Sequence, residues 1–394
     1  MNIILFDDQT RSTLLPLTYT RPIADIRIGI LKISEKWEKI CEAKCSFLTE
    51  QYLQELFPVS VSDDNYFING SLLPTTELVA EIKSLNIGEA LISDDLILAI
   101  RSGKQDGLKN FTDVKIEKSR VTQSKFDRLV FPWDIFSKNE KELQSDFVLL
   151  TKGRKSQPLS SSNRVINPEN IFLEPGAVVE CANLNAASGC IYVGKDSEIM
   201  EGAMIRGPFA IGDHSAVKMG AKIYGATTVG PHCKVAGEIS DSVIFGYSNK
   251  AHDGFLGNSV LGEWCNLGAD TNNSNLKNNY SKVKVWSYQE HDYINTGLQF
   301  CGLIMGDHSK CSINTMFNTG TVVGVSANIF GNGFPPKFVP SFSWGGSEGF
   351  TSYRLEDASE VASRVYERRH LEFGKKEKDL LKYLFEESTK YRAW

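Results

Sequence analysis

The sequence predicts an α/β domain, then a parallel β-helix, then a helical tail. The first observation behind this is a row of eight aliphatic residues. Val193, Ile199, Ile205, Ile211, Val217, Ile223, Val229 and Val235 stand six apart, with Gly194, Gly212 and Gly230 marking a coil of eighteen residues. A six-residue apolar period fits neither the helical nor the simple strand period, whereas a three-sided solenoid presents one inward aliphatic per face. The second observation is a run of alternating short strand and helix patterns before the solenoid, and the third is a pair of apolar stripes at helical spacing near the C-terminus. A β-sandwich, the competing reading, would show alternation and irregular turn spacing.

In chain order, Asn2 to Phe6 reads as a strand running into Asp7 and Asp8, and Ile30 to Lys44 as a helix. Asn65 to Asn69 is a second strand, Thr75 to Ser84 a helix, and Glu89 to Ala99 strand pieces, an order that suggests an α/β layer fold. From Ser137 to Asn170 the composition turns polar, with Ser156-Gln157-Pro158 and Ser160-Ser161-Ser162-Asn163, as a linker would. Small residues two before the inward positions, Ser197, Ala203, Ser215, Ala221, Thr227 and Cys233, suit tight corners, with Phe209 as the exception. The register returns at Met305, Cys311, Phe317, Val323 and Ile329, after an Asn- and Lys-rich stretch, Gly268 to Cys301, that must leave the coil as a loop. Gly331-Asn332-Gly333-Phe334-Pro335-Pro336 then breaks the pattern, and Ala358/Val361/Val365 and Leu380/Leu381/Leu384/Phe385 carry the helical stripes. The expected domains are 1–155, a linker over 156–170, the solenoid over 171–331, and a C-terminal extension with helices over 332–394.

Composition narrows the function classes. With 41% hydrophobic and 23% charged residues and a net charge of −5, the chain reads as globular, and no Lys/Arg block suggests nucleic-acid binding. The opening strand turns acidic too early for a signal peptide, and no apolar run approaches about 18 residues, so neither export nor a membrane is expected. Eight scattered cysteines without a Cys-x-x-Cys pair read as reduced thiols in a cytoplasmic protein. The six histidines form no ligand-spaced set, so no structural metal is expected.

The most specific segment is Lys250-Ala251-His252-Asp253-Gly254-Phe255-Leu256-Gly257, followed by Asn266-Leu267-Gly268-Ala269. It is similar to the acetyltransferase half of the bifunctional bacterial enzymes that acetylate glucosamine-1-phosphate and then uridylylate the product. Those left-handed β-helices carry Lys-Ala-Gly-His, Tyr-Leu-Gly and then Asn-Ile-Gly-Ala-Gly. The resemblance implies His252 as the general base that takes a proton from the sugar amine, with Asn266 in the same pocket. An ammonium cannot attack a thioester, so acyl transfer needs a base near working pH, and unperturbed imidazole, at about 6.5, supplies one. Asp253 could orient or charge-stabilise the imidazole. Lys250 and Phe255, the latter standing where the family has tyrosine, would touch substrate. Lys282 or Lys284 could hold the sugar phosphate, Arg206 being a weaker candidate. The bland alternative for His252 is a surface residue on a coil corner.

Leu14-Leu15-Pro16-Leu17-Thr18 through Arg21-Pro22, after a first strand, resembles sugar-1-phosphate nucleotidylyltransferases, and the whole layout resembles a GlmU-like sugar nucleotidylyltransferase family. By that resemblance Arg11, Arg21, Asp25 and Arg27 fall near triphosphate contacts. The glycine-rich phosphate loop is replaced by Asp7-Asp8-Gln9-Thr10, whose side chains would hinder a backbone cradle. The family's Mg²⁺-binding aspartate, in a Gly-Asp turn, is replaced by Gly70-Ser71, which leaves Asp7 or Asp8 as substitutes and Mg²⁺ as the metal of this domain.

The leading expectation is therefore acetyl transfer from acetyl-coenzyme A to an amino-sugar phosphate, with or followed by nucleotidyl transfer from a nucleoside triphosphate, as in UDP-N-acetylglucosamine biosynthesis. The resemblance implies a homotrimer with acyl sites between neighbours. Two other readings stay open: a nucleotidylyltransferase whose solenoid only trimerises, and a non-catalytic sugar- or nucleotide-binding scaffold.

Overall fold

The computed structural model describes residues 1–105 and 107–392; the last two residues of the extension expected over 332–394 lie outside the described residues. The chain divides into two compact units. The first comprises Met1–Leu14, Thr20–Ile26 and Leu31–Phe131, and the second Leu15–Tyr19, Arg27–Ile30 and everything from Pro132 onward.

The first unit is built on a six-stranded sheet in the order Cys45–Leu48, Asn2–Phe6, Asp64–Asn69, Leu96–Gly103, Glu89–Ser93, Lys118–Val121. Asn2–Phe6 runs parallel to both neighbours, while Leu96–Gly103 is antiparallel to the strands on either side. Ile4, Phe6, Phe67, Ala90 and Ile100 form its buried cluster. The helix expected over Ile30 to Lys44 is shorter, Ile33–Cys41. It stops there because Glu42 takes a left-handed conformation, φ 53°, which ends the hydrogen-bond ladder. Because Asn2–Phe6 and Asp64–Asn69 are parallel neighbours, their C-terminal ends bring Asp7 and Asp8 beside the turn at Asn69, and the amide of Gly70 donates to the carbonyl of Phe6 at 2.8 Å.

The second unit is a parallel β-helix. One face carries nine strands, from Ile171–Leu173 to Phe338–Val339; a second carries ten, from Val178–Val179 to Gly349–Ser352. The third face is a sheet of six strands, Arg164–Ile166 to Phe255–Gly257, with a further pair, Asn272–Asn273 and Met316–Phe317. Successive coils stack in register, Val193 opposite Ile211 opposite Val229, so each six-residue step returns an aliphatic to the interior. All eight residues of the founding row are at most 2% exposed. Burial of one such side chain favours folding by about 1.5–3 kcal/mol, and stacking repeats that gain coil after coil.

The periodic glycines answer to coil spacing. A Cβ on Gly194, Gly212 or Gly230 would meet backbone atoms of the next coil at 2.7, 2.7 and 2.8 Å. At the next corner His214, His232, Tyr247 and Trp264 are left-handed without glycine, a conformation that costs most residues strain. Their side chains join a column of stacked rings: His214 on His232 at 5.0 Å, His232 on Tyr247 at 4.7 Å, and Tyr247 on Trp264 at 4.1 Å.

The polar stretch after Ser137 holds a helix, Asn139–Thr151, and the strand Arg164–Ile166 already pairs with the coil above it. Its polar residues bond across coils; the side-chain amide of Asn163 donates to the carbonyl of Val179 at 2.7 Å, so composition alone reads it as linker. The excursion after Asn273 contains an antiparallel hairpin, Lys284–Ser287 with Asp292–Asn295. Strand pairing continues past Gly331, and the tail then forms the helices Leu355–Glu367 and Lys375–Glu387. Among the described residues, no helix is long and apolar enough to cross a membrane.

Candidate functional site

His252 occupies a corner between the second and third faces, on the coil where the inward column of the second face changes character. That column reads Val179, Ile199, Val217, Val235, then Lys250, then Leu267, Cys311 and Ile329. Lys250 is 1% exposed, and its ammonium lies inside the coil, where Nζ donates to the carbonyls of His252 at 2.5 Å and Asp253 at 2.9 Å. Burial pulls its pKa down to about 8. The substrate contact expected of Lys250 is thereby replaced by an internal one, because an ammonium enclosed by the core has no route to a bound phosphate.

The corner itself is held against the next coil. The amide of Asp270 donates to the carbonyl of Asp253 at 3.1 Å. Gly254, at φ 109°, lies so close to the next coil that a Cβ there would sit 2.1 Å from the carbonyl oxygen of Thr271. His252 is exposed, and among the described residues its imidazole makes no hydrogen bond. It lines a cavity of about 470 Å³ together with Lys218, Met219, Asp253 and Asp270. A basic ring, two carboxylates and one ammonium around an open cavity suit the binding of a charged ligand and the transfer of a proton.

The other expected residues lie elsewhere on the second unit. Asn266 is exposed on the outer side of the second face, opposite Asn249 and Lys310. Phe255 is half-buried, its ring folded over Gly257. Lys282 lines a different cavity of about 600 Å³ with Glu140, Asp241 and Asn258, and its Nζ donates to the carbonyl of Gly297 at 2.5 Å. Lys284 is exposed and its carbonyl accepts from Lys337 at 2.7 Å. None of these four lines the His252 cavity. Arg206 faces outward on the third face, in a groove of about 780 Å³ with Arg164 and Lys222.

Sequence reading missed Lys218, Met219 and Asp270. The signal was present: Met200 and Lys218 are one coil apart, so stepping the eighteen-residue register along the corner reaches the cavity wall.

In the first unit, Asp7 is fully engaged. Its Oδ1 accepts the amide of Ile23 at 2.8 Å, and its Oδ2 accepts Arg11 at 3.0 Å and Thr49 at 2.5 Å. Burial nonetheless raises its pKa above the usual carboxylate value. Arg11 also donates to the carbonyl of Arg21 at 3.0 Å and to the Tyr52 hydroxyl at 2.6 Å. Arg21 lies 3.7 Å from Asp25, which Lys32 approaches at 2.9 Å. Arg11, Arg21 and Asp25 are thus built into a buried network. Arg27 belongs to the second unit, where it donates to the carbonyl of Ile30.

Asp8 accepts the amide of Thr10 at 2.9 Å and the side-chain amide of Asn69 at 2.8 Å, with the Arg128 guanidinium 3.8 Å away. These groups do not fit Mg²⁺. A hard dication needs several oxygen donors. Asp7 already holds three hydrogen-bond donors, and Asp8 faces an amide N–H and a cation. Among the described residues, no group of three or more His, Cys, Asp or Glu is placed to hold a metal ion.

Residues 3–155 match the family model described as sugar nucleotidyl transferase. The chain is also 32% identical over 93 residues to a bifunctional sugar-1-phosphate nucleotidylyltransferase/acetyltransferase of Sulfurisphaera tokodaii, a match covering 24% of this chain and 23% of the relative. It is 32% identical over 87 residues to the bifunctional protein GlmU of Methanocaldococcus jannaschii, covering 22% and 21%. The chain thus spans less than a quarter of either curated relative. Among solved structures it is similar to the Arabidopsis UDP-N-acetylglucosamine acyltransferase at 14% identity and a TM-score of 0.23, covering 54% of this chain and 82% of that one. It is also similar to the Campylobacter jejuni UDP-N-acetylglucosamine acyltransferase at 14% identity and a TM-score of 0.21, covering 57% and 95%.

Proposed function

We propose that the solenoid transfers an acetyl group from acetyl-coenzyme A to the amine of an amino-sugar phosphate, with His252 as general base. The observation that carries this reading is an exposed imidazole at the mouth of a cavity of about 470 Å³, between carboxylates and an ammonium. The Sulfurisphaera tokodaii relative, a sugar-1-phosphate nucleotidylyltransferase/acetyltransferase by name, supports it.

In this reading a neutral imidazole takes the proton from the substrate ammonium, and the freed amine attacks the thioester carbonyl. The tetrahedral adduct collapses with cleavage of the C–S bond, coenzyme A leaves as the thiol with the amine's second proton, and the imidazolium returns the first to solvent. Asp253 and Asp270 favour the imidazolium that results, because carboxylates nearby stabilise a developing positive charge. Lys218 offers the cation for the sugar phosphate. Three chains associate in the cytoplasm so that the loop bearing Lys282 and Lys284 comes from a neighbouring copy, and Asn266 lines the completed pocket.

The first unit, in this proposal, binds a nucleoside triphosphate or sugar-1-phosphate, a reading supported by its match to the sugar nucleotidyl transferase model. Because Asp7 and Asp8 do not suit Mg²⁺, we assign it binding and no metal-assisted step. Pyrophosphate exchange with sugar-1-phosphate would overturn that assignment.

The deciding experiment is thiol release from acetyl-coenzyme A with glucosamine-1-phosphate, comparing the intact chain with His252→Ala. Loss of a general base is expected to slow turnover by roughly 10²–10⁴-fold. Equal rates in the two would retire the assignment of His252.

A further inference from the structure

We propose that Lys250 is a positioning residue that aims His252 from inside the coil, an inference that rests on the acyl-transfer reading of this site. The inward column of the second face is otherwise aliphatic or cysteine, from Val179 to Ile329. An ammonium in such a column is expensive to bury, so its presence calls for partners that an apolar side chain could not serve. The partners are the carbonyls of His252 and Asp253. One is the carbonyl of the base itself, and the other is that of the residue after it. Lys250 therefore fixes the two peptide planes that follow His252.

The coil is also irregular here. The column steps by eighteen residues from Val217 to Val235, but by fifteen from Val235 to Lys250 and seventeen from Lys250 to Leu267. The shortened coil changes the path of the corner, and the lysine supplies donors to carbonyls at that corner. The neighbouring coils supply the Asp270 amide to the Asp253 carbonyl and the Glu238 amide to the Gly254 carbonyl, and leave the His252 carbonyl to Lys250. With 1% exposure, Lys250 cannot itself be a contact for the sugar or its phosphate.

The position thus separates two properties that usually fall together. An unbranched apolar residue fits the column, so Lys250→Met should keep the full chain folded while removing both donors. The measurement is hydrogen exchange across the chain together with thiol release. In Lys250→Met, exchange over 250–255 is expected to rise at least about tenfold while the coils above and below stay unchanged, with the melting temperature equal to or above that of the natural chain. Turnover should fall by about ten- to a hundredfold, with the KM for glucosamine-1-phosphate within about twofold, because a displaced base loses rate rather than binding.

Unchanged exchange at 250–255, a uniform rise in every coil, or turnover equal to the natural chain would each overturn the proposal. A natural chain that releases no thiol overturns the acyl-transfer reading alone. The exchange result then supports or overturns the pinning of the corner by itself.

Discussion

The ring of Trp264 stacks on that of Tyr366 with centroids 4.1 Å apart and planes 24° from parallel. Trp264 stands in the ring column that rises from His214 and continues to His308, and Tyr366 belongs to the helix Leu355–Glu367 of the tail. Tyr366 also stacks on His308 at 6.2 Å, so the tail helix is fastened to the solenoid corner by aromatic contacts beside the buried Ala358 and Ala362. Tyr366→Ala is expected to cost about 1–3 kcal/mol, from lost area and stacking, read as a lower urea midpoint at unchanged m.

The same column predicts a pH dependence. The pKa of His232 is lowered by burial first, then by His214 and Arg369, with Asp213 opposing. A histidine held below its ordinary value binds its proton less readily in the folded chain than in the unfolded one. Its contribution is therefore intact above about pH 6.5 and is lost as pH falls through the lower folded value. His232→Asn, which tolerates the left-handed corner, should flatten the fall in unfolding free energy between pH 7 and 5. An equally steep fall in the variant would show that other groups govern acid stability.

How far the sequence reveals this molecule depends on whether a feature is periodic or local. The inward row from Val193 to Val235 is legible because each coil repeats the same burial, and all eight members are buried. Arg164–Ile166 is not, because polar residues that bond between coils have the composition of a linker. At the candidate site, the flanks of His252 single it out in the sequence, but the direction of Lys250 is not legible, since a lysine in an inward position is invisible until the shortened coil is counted. In the first unit, Arg11, Arg21 and Asp25 have the residue types of a phosphate site, and only the geometry shows them neutralised by one another and by Asp7 and Lys32.

Metal binding beside Asp8 can be tested by adding a carboxylate. Asn69 is fully buried and gives its side-chain N–H to Asp8 at 2.8 Å. Asn69→Asp would set two carboxylates against each other, a like-charge contact expected to cost about 2–3 kcal/mol without metal. It also supplies the second oxygen donor that a dication needs. Millimolar Mg²⁺ should raise the melting temperature of Asn69→Asp and leave that of the natural chain unchanged, because only a ligand that binds the folded state stabilises it. Equal stabilisation of both by Mg²⁺ would mean that the natural residues already bind the ion.

Gly254 separates backbone strain from crowding at the His252 corner. Both Gly254 and Gly153 have positive φ, at 109° and 73°, so alanine at either pays for an unfavourable backbone. Around Gly153 nothing lies within 4 Å, whereas a Cβ on Gly254 would stand 2.1 Å from the Thr271 carbonyl oxygen. Gly153→Ala is therefore expected to cost about 1 kcal/mol, the conformational penalty alone. Gly254→Ala must also push the corner away from the coil below, for a total of about 3 kcal/mol or more. The displaced backbone carries His252 with it, so thiol release by Gly254→Ala should fall more than tenfold at a temperature where the variant is still folded. A Gly254→Ala chain as stable as Gly153→Ala and as active as the natural one would show that the corner has room to give, and that the base does not depend on its being held.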